Sequence, residues 1–239
     1  IMTKPNLIYV FADQWRAEAT GFMKEDQVIT PNIDAFAQES AWFANAYSTF
    51  PLCSPHRASL LTGKYPFSCG MWTNCKVGLE EKVMLRPQEI CISDVLKDHK
   101  YYTGYIGKWH LDAPEQSFVK EPLSGARDWD AYTPPGERRH GFDYWLSYGT
   151  YDMHLDPHYW SDSPQWFKPG KWSVEFETDK ALEYLKDRET KEQPFALFVS
   201  YNPPHLPYDQ VPDRYYDQVK DLKIKWRENV PESMYREEM

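Results

Sequence analysis

The chain has 239 residues, a formal net charge of −9 and a heavy aromatic load of 10 Trp, 17 Tyr and 12 Phe. That length accommodates one large domain or two small ones, and its mix of apolar and charged residues is that of a globular protein, not a disordered one. The acidic balance excludes general nucleic-acid binding, which needs a basic face, and no apolar run approaches the roughly 20 residues of a membrane span.

Pro5-Asn6 opens an apolar run to Ala12 that predicts a fully buried parallel strand, with Asp13 and Gln14 at its C-terminal end. Pro31 to Ser40 reads as a helix with Thr30 as N-cap, Pro31 at its first position and Ile33, Phe36 and Ala37 on one face. Ala41 to Tyr47 reads as a short strand leading to the loop of Cys53. In Cys53-Ser54-Pro55-His56-Arg57-Ala58-Ser59-Leu60-Leu61-Thr62-Gly63, Pro55 suits the first position of a helix and Gly63 suits its end. Cys53 then lies at or just before a helix N-terminus, where free N–H groups and the dipole favour an anion. Arg57 stands one helical turn further on.

Ile90 to Lys97 predicts a short amphipathic helix, and Tyr101 to Ile106 a strand ending in Gly107-Lys108-Trp109-His110. Residues 111–172, rich in Pro, Gly, Asp and aromatics, read as a long decorated loop region. Glu175 to Arg188 is a helix with Phe176, Ala181, Leu182 and Leu185 as its apolar face, and Pro194 to Tyr201 is a buried strand ending in Asn202-Pro203-Pro204-His205. Strands alternating with helices predict an α/β fold with a mostly parallel sheet flanked by helices. Ligands of such sheets bind beyond the C-terminal ends of the strands, where Asp13, Gln14, Lys108, His110 and His205 all fall.

Other candidates carry less. Cys53, Cys69, Cys75 and Cys91 show no Cys-x-x-Cys pairing, and disulfides among the last three are allowed but not required. His154 and His158 are four apart, but Pro157 interrupts any helix and no Glu follows His154, so both read as loop residues with substrate contact left open. There is no Gly-rich phosphate loop and no Gly-x-Ser-x-Gly elbow. Trp129, Tyr132, Tyr144, Trp145, Tyr148, Tyr151, Tyr159, Trp160, Trp166 and Trp172 could stack on sugar or aryl groups, or could pack the loops onto the sheet.

Cys53, Pro55 and Arg57, with Leu60, Thr62 and Gly63, resemble the signature of the type I sulfatases, and Gly107-Lys108-Trp109-His110-Leu111 resembles their second signature. The resemblance implies the alkaline-phosphatase-like α/β/α fold and hydrolysis of an organic sulfate ester. It implies that a maturating enzyme oxidises Cys53 to formylglycine, whose hydrate is the nucleophile. By the same resemblance, Arg57, Lys108 and a Ca²⁺ or Mg²⁺ ion stabilise charge, His110 assists the hydrate, and His205 contacts the sulfate or protonates the leaving oxygen. Asp13, Gln14 and position 53 are the implied metal ligands. Gln14 departs from the family's usual second aspartate, and His56 occupies a variable position of the signature.

The expected partner is a small-molecule or glycan sulfate ester, with the lean toward carbohydrate resting on the aromatics alone. Neither nucleic acid nor membrane is expected as a partner. Lys223 to Met239 shows no closing element, and no Asp-Asn or Asp-His pair follows His205. Residues 1–239 are therefore expected to be the N-terminal part of a sulfatase catalytic domain, with the 111–172 region as an insertion and the rest of the metal site elsewhere. Two alternatives stand: a phosphonate or phosphate monoester hydrolase of the same superfamily, and a non-catalytic chain in which Cys53 stays a thiol. Ile1 precedes Met2 and no signal peptide is present, which leaves the compartment open between the cytoplasm and export with the signal removed.

Overall fold

In the computed structural model, which describes residues 4–114, 129–223 and 225–231, the main elements run in chain order. They are β1 (Leu7–Ala12), α1 (Pro31–Gln38), α2 (Cys53–Thr62), α3 (Ile92–Asp98), β2 (Tyr102–Lys108), β3 (Tyr144–Tyr148), α4 (Ser173–Arg188) and β4 (Phe195–Tyr201). The chain divides into two compact units, Ile1–Gln14 with Tyr47–Val211, and Trp15–Ala46 with Pro212–Met239. Among the described residues, no helix is long and apolar enough to cross a membrane.

The first unit is built on a parallel sheet in the order β1-β4-β2-β3, which is the expected α/β architecture. Successive side chains of a strand face opposite sides, and both sides of this sheet are covered. Tyr105, Trp145, Ala196 and Phe198 join Ala58, Leu61, Met71 and Trp109 on one side. Ile106, Leu146, Leu197 and Val199 join Tyr159, Trp160, Phe176 and Tyr184 on the other. Helix α4 packs on β4 and β2, and α3 packs on β2. Glu175 near the start of α4, and Lys186 and Arg188 in its last turn, match the helix dipole.

Several expectations are corrected. β1 is an edge strand, and Ile8 and Val10 are 54 % and 58 % exposed, because α3 and α4 cover β2 and β4 instead. The 111–172 region is not all loop: Tyr144–Tyr148 adds β3 to the sheet, and the Ser147–Trp160 and Tyr159–Phe167 bridges extend it. Positions 115–128 of that region lie outside the described residues. Leu182 is exposed; Phe176, Glu177, Ala181 and Tyr184 form the buried face of α4. Of the tail, residue 224 and residues 232–239 also lie outside the described residues.

In the second unit, Asp34 of α1 accepts hydrogen bonds from the Thr30 hydroxyl (2.7 Å) and the Phe22 amide (2.8 Å). Phe36, expected on the apolar face, is 73 % exposed. The expected strand at Ala41–Tyr47 is a turn and irregular backbone.

Candidate active site

Parallel strands deliver their C-terminal ends to one edge of the sheet. Asp13 follows β1, Lys108 ends β2 and Asn202 follows β4, while α2 brings Cys53 to the same place. Helix α2 starts earlier than Pro55 predicts: Leu52 is the N-cap and Cys53 the first helical residue, with Gly63 closing the helix at φ 68°. The expected anion cradle of free amides is also reduced. The Ser54 N–H donates to Asn74 Oδ1 (2.9 Å), Pro55 has no N–H, and the His56 N–H donates to Leu52 O (2.9 Å). Side-chain cations therefore supply most of the positive potential.

Cys53 Sγ donates to Asp13 Oδ1 at 3.5 Å and lies 3.8 Å from Lys108 Nζ. Burial and the neighbouring Asp13 carboxylate push the Cys53 thiol up, against the pull of Lys108 and Arg57. A thiol held protonated is a poor thiolate nucleophile. Asp13 pairs with both cations, Lys108 Nζ at 2.7 Å and Arg57 Nη2 at 2.9 Å. Burial alone would raise its pKa, but those two cations hold the carboxyl well below the usual range.

Arg57 is buried, and both terminal nitrogens of its guanidinium are engaged. Nη1 donates to Lys108 O (2.6 Å) and Ser200 Oγ (2.7 Å), and Nη2 to Asp13. The Lys108 carbonyl also accepts from Tyr105 Oη (2.5 Å) and Ser200 Oγ (2.8 Å). Gly107 makes this possible: its φ is +101°, and a Cβ there would stand 2.2 Å from Ser200 O. The backbone of the Lys108 turn is thus clamped from three side chains. Its ammonium, fully buried, reaches Asp13 and Asn202 Oδ1 (3.0 Å).

His110 adopts a left-handed φ of 50°, unusual for a residue with a Cβ. Its Nε2 faces Cys75 O at 3.1 Å; because a carbonyl only accepts, the proton sits on Nε2 and Nδ1 carries the lone pair. That Nδ1 is buried with no hydrogen-bond partner among the described residues. Burial, together with Lys108 and Arg57, pushes the His110 pKa well down, so the ring is neutral.

His205 sits between the cis peptides Pro203-Pro204 and Leu206-Pro207. Its Nδ1 is 2.8 Å from Leu206 O and 3.6 Å from Asp152 Oδ1, and its own carbonyl faces His154 Nε2 at 3.0 Å. Gln14, at a left-handed φ of 55°, accepts the Leu206 N–H on Oε1 at 3.3 Å and so ties β1 to the His205 loop.

Asp13, Cys53 and His205 each offer a donor atom within 4.8 Å of the others. As they stand, these are one hard oxygen, one soft sulfur and one nitrogen, a poor set for Ca²⁺ or Mg²⁺. With an oxygen in place of the sulfur, Asp13 and position 53 become two hard donors, part of the six or more oxygens that Ca²⁺ takes. The donor chemistry fits a hard cation in that oxidised state, and further ligands are then needed.

Cys53, Arg57, Lys108, Asp13 and His205 thus converge, and Gln14 lies beside them. Asn202, Ser200, Tyr105 and Asp152 are neighbours that the sequence did not single out, while His154, read as a loop residue with substrate contact left open, faces the His205 carbonyl. His158 instead pairs with buried Asp130 at 2.8 Å, and His56 faces Ser48 Oγ at 2.8 Å. Most of the aromatics pack: Tyr132, Tyr148, Tyr151, Tyr159 and Trp160 are buried in the α4-side core, and Trp145 in the other. All four cysteines are free thiols.

The sulfatase family model matches residues 5–233. The chain is 41 % identical to an endo-4-O-sulfatase of Bacteroides thetaiotaomicron, over 98 % of this chain and 50 % of the relative. It is 38 % identical to an ulvan-active sulfatase of Formosa agariphila, over 99 % of this chain and 43 % of the relative. A solved structure described for the metabolism of multiple glycosaminoglycans by Bacteroides thetaiotaomicron superposes with a TM-score of 0.83 at 41 % identity, over 92 % of this chain and 49 % of that one. The chain spans about half the length of the curated relatives it matches. The alkaline-phosphatase-like α/β fold is shared with these neighbours. The chain belongs to the sulfatase family.

Proposed function

We propose that the protein hydrolyses a carbohydrate sulfate ester, with position 53 oxidised from cysteine to formylglycine. The observation that carries this reading is the meeting of Cys53, Lys108 and Asp13 within 3.8 Å at the start of α2. An aldehyde at position 53, as its hydrate, supplies an oxygen nucleophile for sulfur and later releases sulfate by re-forming the carbonyl.

The chain's own residues do the rest. Lys108 points a buried ammonium at position 53, where charge develops on the sulfuryl oxygens. Arg57 holds the Lys108 turn and neutralises Asp13. Neutral His110, with its bare Nδ1, suits removal of a proton from the hydrate. His205, at the rim, suits protonation of the leaving alcohol oxygen. Asp13 and the position-53 oxygen, with Gln14 through its amide oxygen, would hold a Ca²⁺ or Mg²⁺ ion, which lends Lewis acidity toward sulfate when bound. The carbohydrate class rests on the relatives' names, an ulvan-active sulfatase and a glycosaminoglycan-related structure, since most of the aromatics are spent on packing.

Turnover of an aryl sulfate, an aryl phosphate and a panel of sulfated oligosaccharides by the converted protein tests the proposal. Release of sulfate, with the oligosaccharides preferred, supports it. Faster release of phosphate would replace it with phosphate-ester hydrolysis.

A further inference from the structure

Lys108 has three N–H bonds and no lone pair, so its direction is set by which acceptors take them. Asp13 Oδ2 takes one at 2.7 Å and Asn202 Oδ1 another at 3.0 Å. The third is then aimed at Cys53 Sγ, 3.8 Å away. Asp13 alone would leave the ammonium free to swing about that single contact, and Asn202 removes this freedom.

The orientation of the Asn202 amide is itself determined. Its Nδ2 lies 2.9 Å from Tyr151 O, an acceptor only, and its Oδ1 faces Lys108, a donor only. A flipped amide would place like against like at both ends. Asn202 is fully buried, and its carbonyl accepts the His205 N–H at 3.0 Å. Tyr151 is packed in turn: it is buried, its ring centroid lies 4.1 Å from that of His158, and Asp130 Oδ1 accepts the Gly149 N–H at 2.8 Å two residues before it. The Tyr151 carbonyl therefore stands behind one amide, and that amide stands behind Lys108.

We infer that Asn202 is a positioning residue for the reaction, fixing the buried Lys108 ammonium so that its third N–H faces position 53. The inference rests on the sulfate-ester reading given above. An ammonium so directed is in place before charge develops, so its loss falls on the chemical step rather than on binding.

Asn202→Leu, of similar size, removes both hydrogen bonds, and Asn202→Asp keeps an acceptor for Lys108. In the protein converted at position 53, with an aryl sulfate, Asn202→Leu is expected to lower kcat about 10- to 100-fold with KM within about twofold. Asn202→Asp recovers part of the loss. In a Lys108→Met background, Asn202→Leu costs no further activity, because the group it directs is gone. Equal losses in both backgrounds, or kcat unchanged by Asn202→Leu, overturn the inference while leaving wild-type sulfate release to stand. If the wild type releases no sulfate, the functional reading fails by itself. The crystal structure of Asn202→Leu then decides: an ammonium swung away from Cys53 sustains the positioning role, and one still about 3.8 Å from Sγ overturns it.

Discussion

The Lys108 ammonium and the Asp13 carboxylate form an ion pair of 2.7 Å in which the lysine side chain is fully buried and the aspartate 9 % exposed. Arg57 is the second cation on Asp13, at 2.9 Å, so one carboxylate faces two buried cationic side chains. Asp13→Asn leaves two buried cations without a counter-charge. A loss of about 3–5 kcal/mol is expected in urea unfolding. A loss below about 1 kcal/mol would place the pair in the weak, solvated class.

Arg57→Lys keeps the charge and loses the fork. A lysine cannot reach Asp13, Lys108 O and Ser200 Oγ together, as Arg57 does. The expected cost is about 2–3 kcal/mol of stability and about a hundredfold in kcat. Wild-type kcat in Arg57→Lys would show that charge alone suffices.

Gly107→Ala tests the clamp on the Lys108 turn from the other side. The new Cβ meets Ser200 O at 2.2 Å, a backbone atom that cannot rotate away, at a φ of +101°. The strand must shift, and a loss of at least about 2–3 kcal/mol is expected from thermal unfolding. A melting temperature within a degree or so of wild type would mean that β2 and β4 are not held at this spacing.

Glu177 on α4 gives a pH signature. It is fully buried, Tyr159 Oη donates to its Oε1 at 2.8 Å, and burial raises its pKa from 4.5 to about 8. The folded form then binds this proton more tightly than the unfolded form does, so stability is fully present below about pH 4.5 and falls as pH rises toward 8. The slope is about 1.4 kcal/mol per pH unit. Glu177→Gln keeps an acceptor for Tyr159 and carries no charge. It should match wild type near pH 4.5 and exceed it by roughly 3–5 kcal/mol at pH 9. Urea unfolding at the two pH values reads this directly, and equal stabilities at pH 9 would refute the buried, protonated assignment.

How much of this was legible in the sequence depended on range. Gly63 ends α2 where its local signal places it, and β2 runs to Lys108, two residues past the expected Ile106, because caps and apolar runs act over a few residues. β3 was hidden because Tyr144-Trp145-Leu146-Ser147-Tyr148 is a five-residue run among Pro, Gly and Asp, and its identity as a strand comes from pairing with β2. The exposure of β1 was hidden for a similar reason: an apolar run reports hydrophobicity, not which neighbours cover it. Within the site, Asp13, Lys108 and His205 were found from their places at strand ends. Asn202 was not, since its two partners, Lys108 and Tyr151, lie 94 and 51 residues away. Arg57 is read one helical turn after Cys53, but its partners Asp13, Lys108 O and Ser200 come from the ends of β1, β2 and β4, which no local signal shows.

The central claim is that position 53 acts as an oxidised residue and not as a thiol. The most direct measurement is the mass of the peptide carrying Cys53, from protein made in its native host or together with a formylglycine-generating enzyme. The aldehyde is expected there, with the CH₂SH group replaced by CHO. An unmodified thiol in that material would contradict it.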